Sequence, residues 1–183
     1  MEKGSGHSGR SYVTIISHNA NDARYCQTVP VSENKLYKLT AWTKTEKVGI
    51  QELGSNISIE ESLFTSNSLI GNHRKWKRLE LYIQVGKGVS TVTVTLGLGG
   101  YSSLNTGKVS FDDVRMEKVD VIPAGAYIAT AGIIDEDNRI TDYPLSPLHV
   151  FFDYWLKIVL LSFHHYFPDL SRPNPETRPL LFR

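Results

Sequence analysis

Cysteine is nearly absent from this sequence: Cys26 is the single one among 183 residues. One cysteine excludes an intramolecular disulfide, a cysteine-rich zinc site and a CxxC redox pair. An excess of charge is lacking too. Twenty Lys+Arg against nineteen Asp+Glu leave a formal charge of +1. That balance removes the broad basic field of a nucleic-acid binder, so no nucleic acid is expected as a partner. No window offers about 18 uncharged apolar residues in a row, so no membrane-spanning helix is expected. The stretch Met1 to Arg10 is polar, and no signal peptide is read in it. There is no P-loop, no GxSxG and no HExxH, so nothing points to an enzyme.

Proline and glycine divide the chain near residue 120. Only Pro30 of the 8 prolines precedes that point, whereas 12 of the 14 glycines lie at or before Gly107. Residues 1–120 hold 15 Lys+Arg against 12 Asp+Glu, and residues 121–183 hold 5 against 7, so the sign of the charge changes there as well. The chain reads as a domain over 1–120, a linker or short hairpin over 121–147, an apolar, aromatic-rich helix over 148–168 and a Pro-rich tail over 169–183.

What the first part does contain is apolar residues at period two, separated by Gly, Asn, Asp and Ser clusters. Strands are expected at Ser11–Ser17, Arg24–Val29, Lys35–Thr45, Asn56–Ser62, Lys75–Val85, Ser90–Leu98 and Lys108–Lys118. Val85-Gly86-Lys87-Gly88-Val89 reads as a hairpin, and Asn105-Thr106-Gly107 as a break before the last strand. The expected class is all-β, an antiparallel β-sandwich with a C-terminal extension that contains one α-helix.

Alternation then sorts the faces. Tyr37, Leu39 and Ala41 face inward, which leaves Lys38, Thr40, Trp42 and Lys44 outside. Leu79, Leu81, Ile83 and Val85 face inward, which leaves Arg78, Glu80, Tyr82 and Gln84 outside. Thr91, Thr93 and Thr95 lie opposite Val92, Val94 and Leu96, so three strands are expected to share a polar face. A sugar ring has an apolar C–H face that stacks on an aromatic ring and a rim of hydroxyls that need donors and acceptors. Trp42 and Tyr82 beside Arg78, Glu80 and Gln84 supply both. The alternative for the two rings is that they cover the sheet edge or lie under a loop.

Gly9-Arg10-Ser11, Gln27-Thr28-Val29, Tyr37 to Lys44, Trp76 and Gly107-Lys108-Val109-Ser110-Phe111-Asp112-Asp113-Val114 follow one another in an ordered set. Over about residues 7–119 this set resembles the jelly-roll carbohydrate-binding modules appended to bacterial xylanases and glucanases, in the galactose-binding-like superfamily. The resemblance implies glycan binding on a sheet face through strand-borne aromatics, at positions similar to Trp42 and Tyr82. It implies that Trp76 packs structurally, outside the site. It also implies a structural calcium ion near Asp112 and Asp113, although two carboxylates supply only part of the six to eight oxygens calcium takes. The family's usual first strand, with its Asn/Phe/Glu motif, is not matched and is expected to be missing.

Other signals are weaker. Cys26 reads as a packed or half-buried thiol. Asn56-Ile57-Ser58 matches a glycosylation sequon. Asn72 to Arg78 reads as a solvated basic loop. Residues 149–167 are apolar on most sides and are expected to touch a membrane surface or a protein partner. His164 and His165 are adjacent, hence about 100° apart on a helix, and are poor co-ligands. The expected function is non-catalytic binding of a glycan chain, secreted or at the cell surface as part of a larger protein. The alternatives are an adhesion or assembly module with a protein partner, or an ancillary fragment of a glycoside hydrolase or another cell-surface enzyme.

Overall fold

Successive side chains on a strand point to opposite faces, so the alternation Leu79, Leu81, Ile83, Val85 commits one face of a strand to the interior. The computed structural model describes residues 2–3, 6–9 and 11–134, and all four of those side chains are buried in it. The described residues form nine strands and no helix: β1 (Glu2–Lys3), β2 (Ser11–Asn21), β3 (Ala23–Pro30), β4 (Leu36–Val48), β5 (Ser55–Ile59), β6 (Gly71–Val85), β7 (Thr91–Leu98), β8 (Asn105–Val119) and β9 (Ile128–Ala131). All seven expected strands are present, with ends shifted by a few residues. The expected helix over 148–168 and the tail over 169–183 lie outside the described residues.

The strands make two sheets. One runs β1-β2-β8-β4-β6-β9 and the other β3-β7-β5. Every pairing is antiparallel except that of β6 with β9. The inward residues of both sheets meet in one core. Leu39, Leu81 and Phe111 come from the large sheet, and Ile57, Ile59 and Leu98 from the small one. Thr43 and Ser55 bridge the sheets through a buried hydroxyl pair 2.6 Å apart. The described residues form an all-β sandwich.

Four expectations change. The glycine-rich turn after Val85 is not a hairpin, because β6 and β7 belong to different sheets and residues 86–90 cross between them. For the same reason Thr93 and Thr95 do not share a face with Trp42; they lie on the small sheet, where Thr93 bonds Thr28 at 2.9 Å. Residues 72–78 are the first half of β6 and not a loop. Finally, the stretch read as linker or hairpin supplies β9, a parallel strand on the β6 edge. Gly86 allows this approach: a Cβ there would stand 2.3 Å from the Ile133 carbonyl oxygen.

Candidate functional site

The outer face of the large sheet carries the expected constellation in part. Antiparallel register sets Trp42 opposite Arg78, Thr40 opposite Glu80, Lys38 opposite Tyr82 and Leu36 opposite Gln84. On the other side of β4, Asp112 of β8 stands opposite Trp42. Glu80 Oε2 receives Arg78 at 3.1 Å and Lys38 at 3.2 Å. The bond to Glu80 is the main cause that holds the Lys38 ammonium above its ordinary pKa. Trp42 is half-buried and Arg78 is exposed. Trp42, Arg78, Glu80 and Asp112 are thus brought together on neighbouring strands.

Asp112 and Asp113 are adjacent, and on a regular strand they would point to opposite faces. The β4–β8 register shifts between Thr40 and Trp42, where two residues of β8 oppose one of β4. Asp113 takes φ +49° in this bulge, a left-handed conformation that Asp tolerates better than most residues. The bulge turns both carboxylates towards one neighbour, the turn Gly6–Gly9, which is closed by a Gly6 N–H to Gly9 carbonyl bond of 3.0 Å.

That turn lies on Trp42. The His7 ring stacks on the indole with centroids 3.9 Å apart and planes inclined by 14°. The backbone N–H of His7 donates to Asp112 Oδ2 at 2.6 Å, and that of Ser8 to the same oxygen at 3.3 Å. His7 Nδ1 lies 2.7 Å from Asp113 Oδ2, and the Ser8 hydroxyl donates to Asp113 Oδ1. Arg115 reaches the latter oxygen at 3.6 Å. The Ser8 bond first, then the His7 bond, hold the Asp113 carboxyl below its ordinary pKa.

Two expected contributors stand apart from this group. Tyr82 lies on the outer side of its strand, yet it is only 5% exposed. Lys38 Nζ sits over its ring at 5.7 Å, and β9 pairs alongside, with the Tyr82 N–H donating to the Tyr127 carbonyl at 2.8 Å. The ring offers no open face for stacking. Gln84 is six residues along β6 from Arg78, roughly 20 Å at strand rise. It borders a shallow depression with Asn34, Lys118 and Asp120.

Asp112 and Asp113 do not form a calcium cage as arranged. Calcium takes oxygen ligands, whereas these carboxylates are met by two backbone N–H groups, a hydroxyl, an imidazole and a guanidinium. Among the described residues no group of three or more His, Cys, Asp or Glu side chains is placed to hold a metal ion.

Trp76, Tyr12, Lys44 and His7 form one cluster that the sequence does not announce. Lys44 Nζ lies 4.6 Å from the ring centroids of both Tyr12 and Trp76. Trp76 meets Tyr12 edge-on at 5.8 Å and His7 at 6.3 Å. Trp76 is two residues before Arg78, so alternation alone places it on the outer face, whereas the resemblance implies structural packing. His7 carried no signal, since nothing local pairs it with residues 105 and 106 positions away. Two other side chains take unexpected roles. Cys26 is exposed. Asn56 is buried, and its amide donates to the carbonyls of Gly54 at 2.9 Å and Gly99 at 2.8 Å, so the sequon is not accessible in the fold. A search of protein-family models and of curated proteins finds no match to this chain.

Proposed function

We propose that this protein binds carbohydrate without catalysis, holding a polysaccharide or oligosaccharide on the outer face of the six-stranded sheet. One observation carries the reading. Trp42 is a half-buried platform, already in parallel contact with another ring, and is bordered in register by Arg78 and Asp112 with Glu80 and Thr40 on the next rung. An indole face for the C–H side of a pyranose, rimmed by donors and acceptors on a rigid sheet, suits a neutral sugar. The order of sequence motifs that resembles xylanase-appended modules supports the same reading. In this view the protein works secreted or at the cell surface.

Affinity electrophoresis in gels containing xylan, β-glucan or mannan tests it. Wild type is expected to be retarded in at least one gel, and Trp42→Ala to weaken that retardation about tenfold, the worth of roughly 1.4 kcal/mol. Retardation that survives Trp42→Ala moves the site off this face. No retardation of either wild type or His7→Ala protein sinks the reading.

A second reading, an adhesion or assembly module, has its own observation. Ile50, Tyr101 and Leu104 are exposed on loops that Asn105 ties together through Gly49 and Leu53. An apolar pole of this kind suits a protein partner. Self-association abolished by Ile50→Ser with Leu104→Ser, in a protein that no glycan retards, would favour it.

A further inference from the structure

Resting on the glycan reading, we propose that the turn Gly6–Gly9 is an internal occupant of the sugar site, and that the site beneath it comprises Trp42, Asp112 and Asp113. The occupant has the chemistry of the ligand it stands in for. Its flat imidazole covers the indole at 3.9 Å, where a pyranose would place its C–H face. Around the ring it offers the carboxylates four hydrogens: two backbone N–H groups to Asp112 Oδ2, and the Ser8 hydroxyl and His7 Nδ1 to the two oxygens of Asp113. Neighbouring sugar hydroxyls donate in the same way to paired carboxylates.

The bulge gives a reason to regard the pair as a site. An extra residue in β8, with Asp113 at φ +49°, turns two successive carboxylates towards the one turn that stacks on Trp42, with Asp112 opposite Trp42 in register. Bulges re-aim side chains in this manner at sheet surfaces that bind. The ligand class that fits is a neutral glycan with a stackable pyranose and two adjacent free hydroxyls. An acidic sugar would meet the carboxylates with like charge. Binding then requires the His7 turn to leave, and the apparent affinity is lowered by the fraction of molecules in which it is seated.

The test uses the full chain. The wild-type His7 ring protons are expected to resonate upfield in NMR, shielded by the Trp42 indole, and to move towards ordinary positions as xylan, β-glucan or mannan oligosaccharides are added. His7→Ala with Ser8→Ala removes the ring and the side-chain hydroxyl without altering the sheet. It is expected to bind the same oligosaccharide about tenfold more tightly, the gain that would follow if the turn were seated in roughly nine molecules of ten. Asp113→Asn in that background is expected to lose the gain. Equal affinity of wild type and double variant, with His7 unshifted at saturation, overturns the internal occupant while leaving glycan binding in place. Absence of binding by both proteins overturns the glycan reading itself. The wild-type titration needs no substitution, so its outcome stands even if a variant folds poorly.

Discussion

Thr45 is buried on the inward face of β4, and its hydroxyl has no hydrogen-bond partner among the described residues. A buried hydroxyl that finds no partner costs about 1–3 kcal/mol relative to water. Thr45→Val keeps the shape and replaces the hydroxyl by a methyl group. It is therefore expected to stabilise the sandwich by about 1 kcal/mol, read as a higher urea midpoint with unchanged slope. A lower midpoint would show that the hydroxyl is bonded in solution. At this scale alternation was a reliable guide to which face a residue takes and a poor one to whether it is open. Leu79, Leu81 and Ile83 are buried as their spacing says. Tyr82 also takes the expected face, but it is buried because β9 and Lys38 close around it. Nothing in residues 77–85 announces a strand about 45 positions later. Trp76 is the opposite case: its phase is legible in the sequence, and only the resemblance points it to structural packing.

At the scale of elements, strands were legible and their partners were not. Period two marks β4, β6, β7 and β8, because each buries one face; it carries no information about which strands lie side by side. The crossing between sheets at residues 86–90 and the parallel β9 follow from packing and not from local turn chemistry. The turn Gly6–Gly9 belongs here as well, since β8 supplies its acceptors from more than a hundred residues away. Its seat depends on pH with a definite sign. The Asp113 carboxyl is held below its ordinary value in the folded chain by Ser8 and His7. A group whose folded pKa is depressed contributes fully above the ordinary carboxylate range, and that contribution is lost as pH falls through the folded value. The groups that meet the turn are Asp112 and Asp113 of β8, Trp42 of β4 and Trp76 of β6; behind them Arg115 stands beside Asp113, and Lys44 of β4 and Tyr12 of β2 stand against Trp76. From pH about 4 downward the His7 ring resonances are expected to lose their indole shielding. In Asp113→Asn that acid step is expected to disappear. A wild-type ring still shielded after Asp113 has been protonated would show that stacking alone seats the turn.

At the scale of the whole molecule, near-neutrality restricts how the proposed site can work. A formal charge of +1 over 183 residues gives no long-range field to gather a charged partner. The outer sheet face mixes signs at short range: Lys38 and Arg78 share Glu80, and Arg115 stands beside Asp113. Pairs at a surface of this kind, with at least one partner open to water in two of the three, contribute about 0–1 kcal/mol and are screened by salt. Stacking on Trp42 and hydroxyl bonds to carboxylates involve no net charge on a neutral glycan. The affinity for such a glycan is therefore expected to change by less than about twofold between 50 mM and 500 mM sodium chloride, a range over which the Debye length shrinks from about 14 to about 4 Å. Isothermal titration at the two salt concentrations measures it. A fall of tenfold or more would mean that exposed cations such as Arg78 and Arg115 contact an anionic ligand, and would transfer the site from a neutral sugar to an acidic one. Salt-independent binding that is lost with Trp42→Ala would leave stacking as the principal contact, in keeping with the proposal that the carboxylates of Asp112 and Asp113 select hydroxyls over acids.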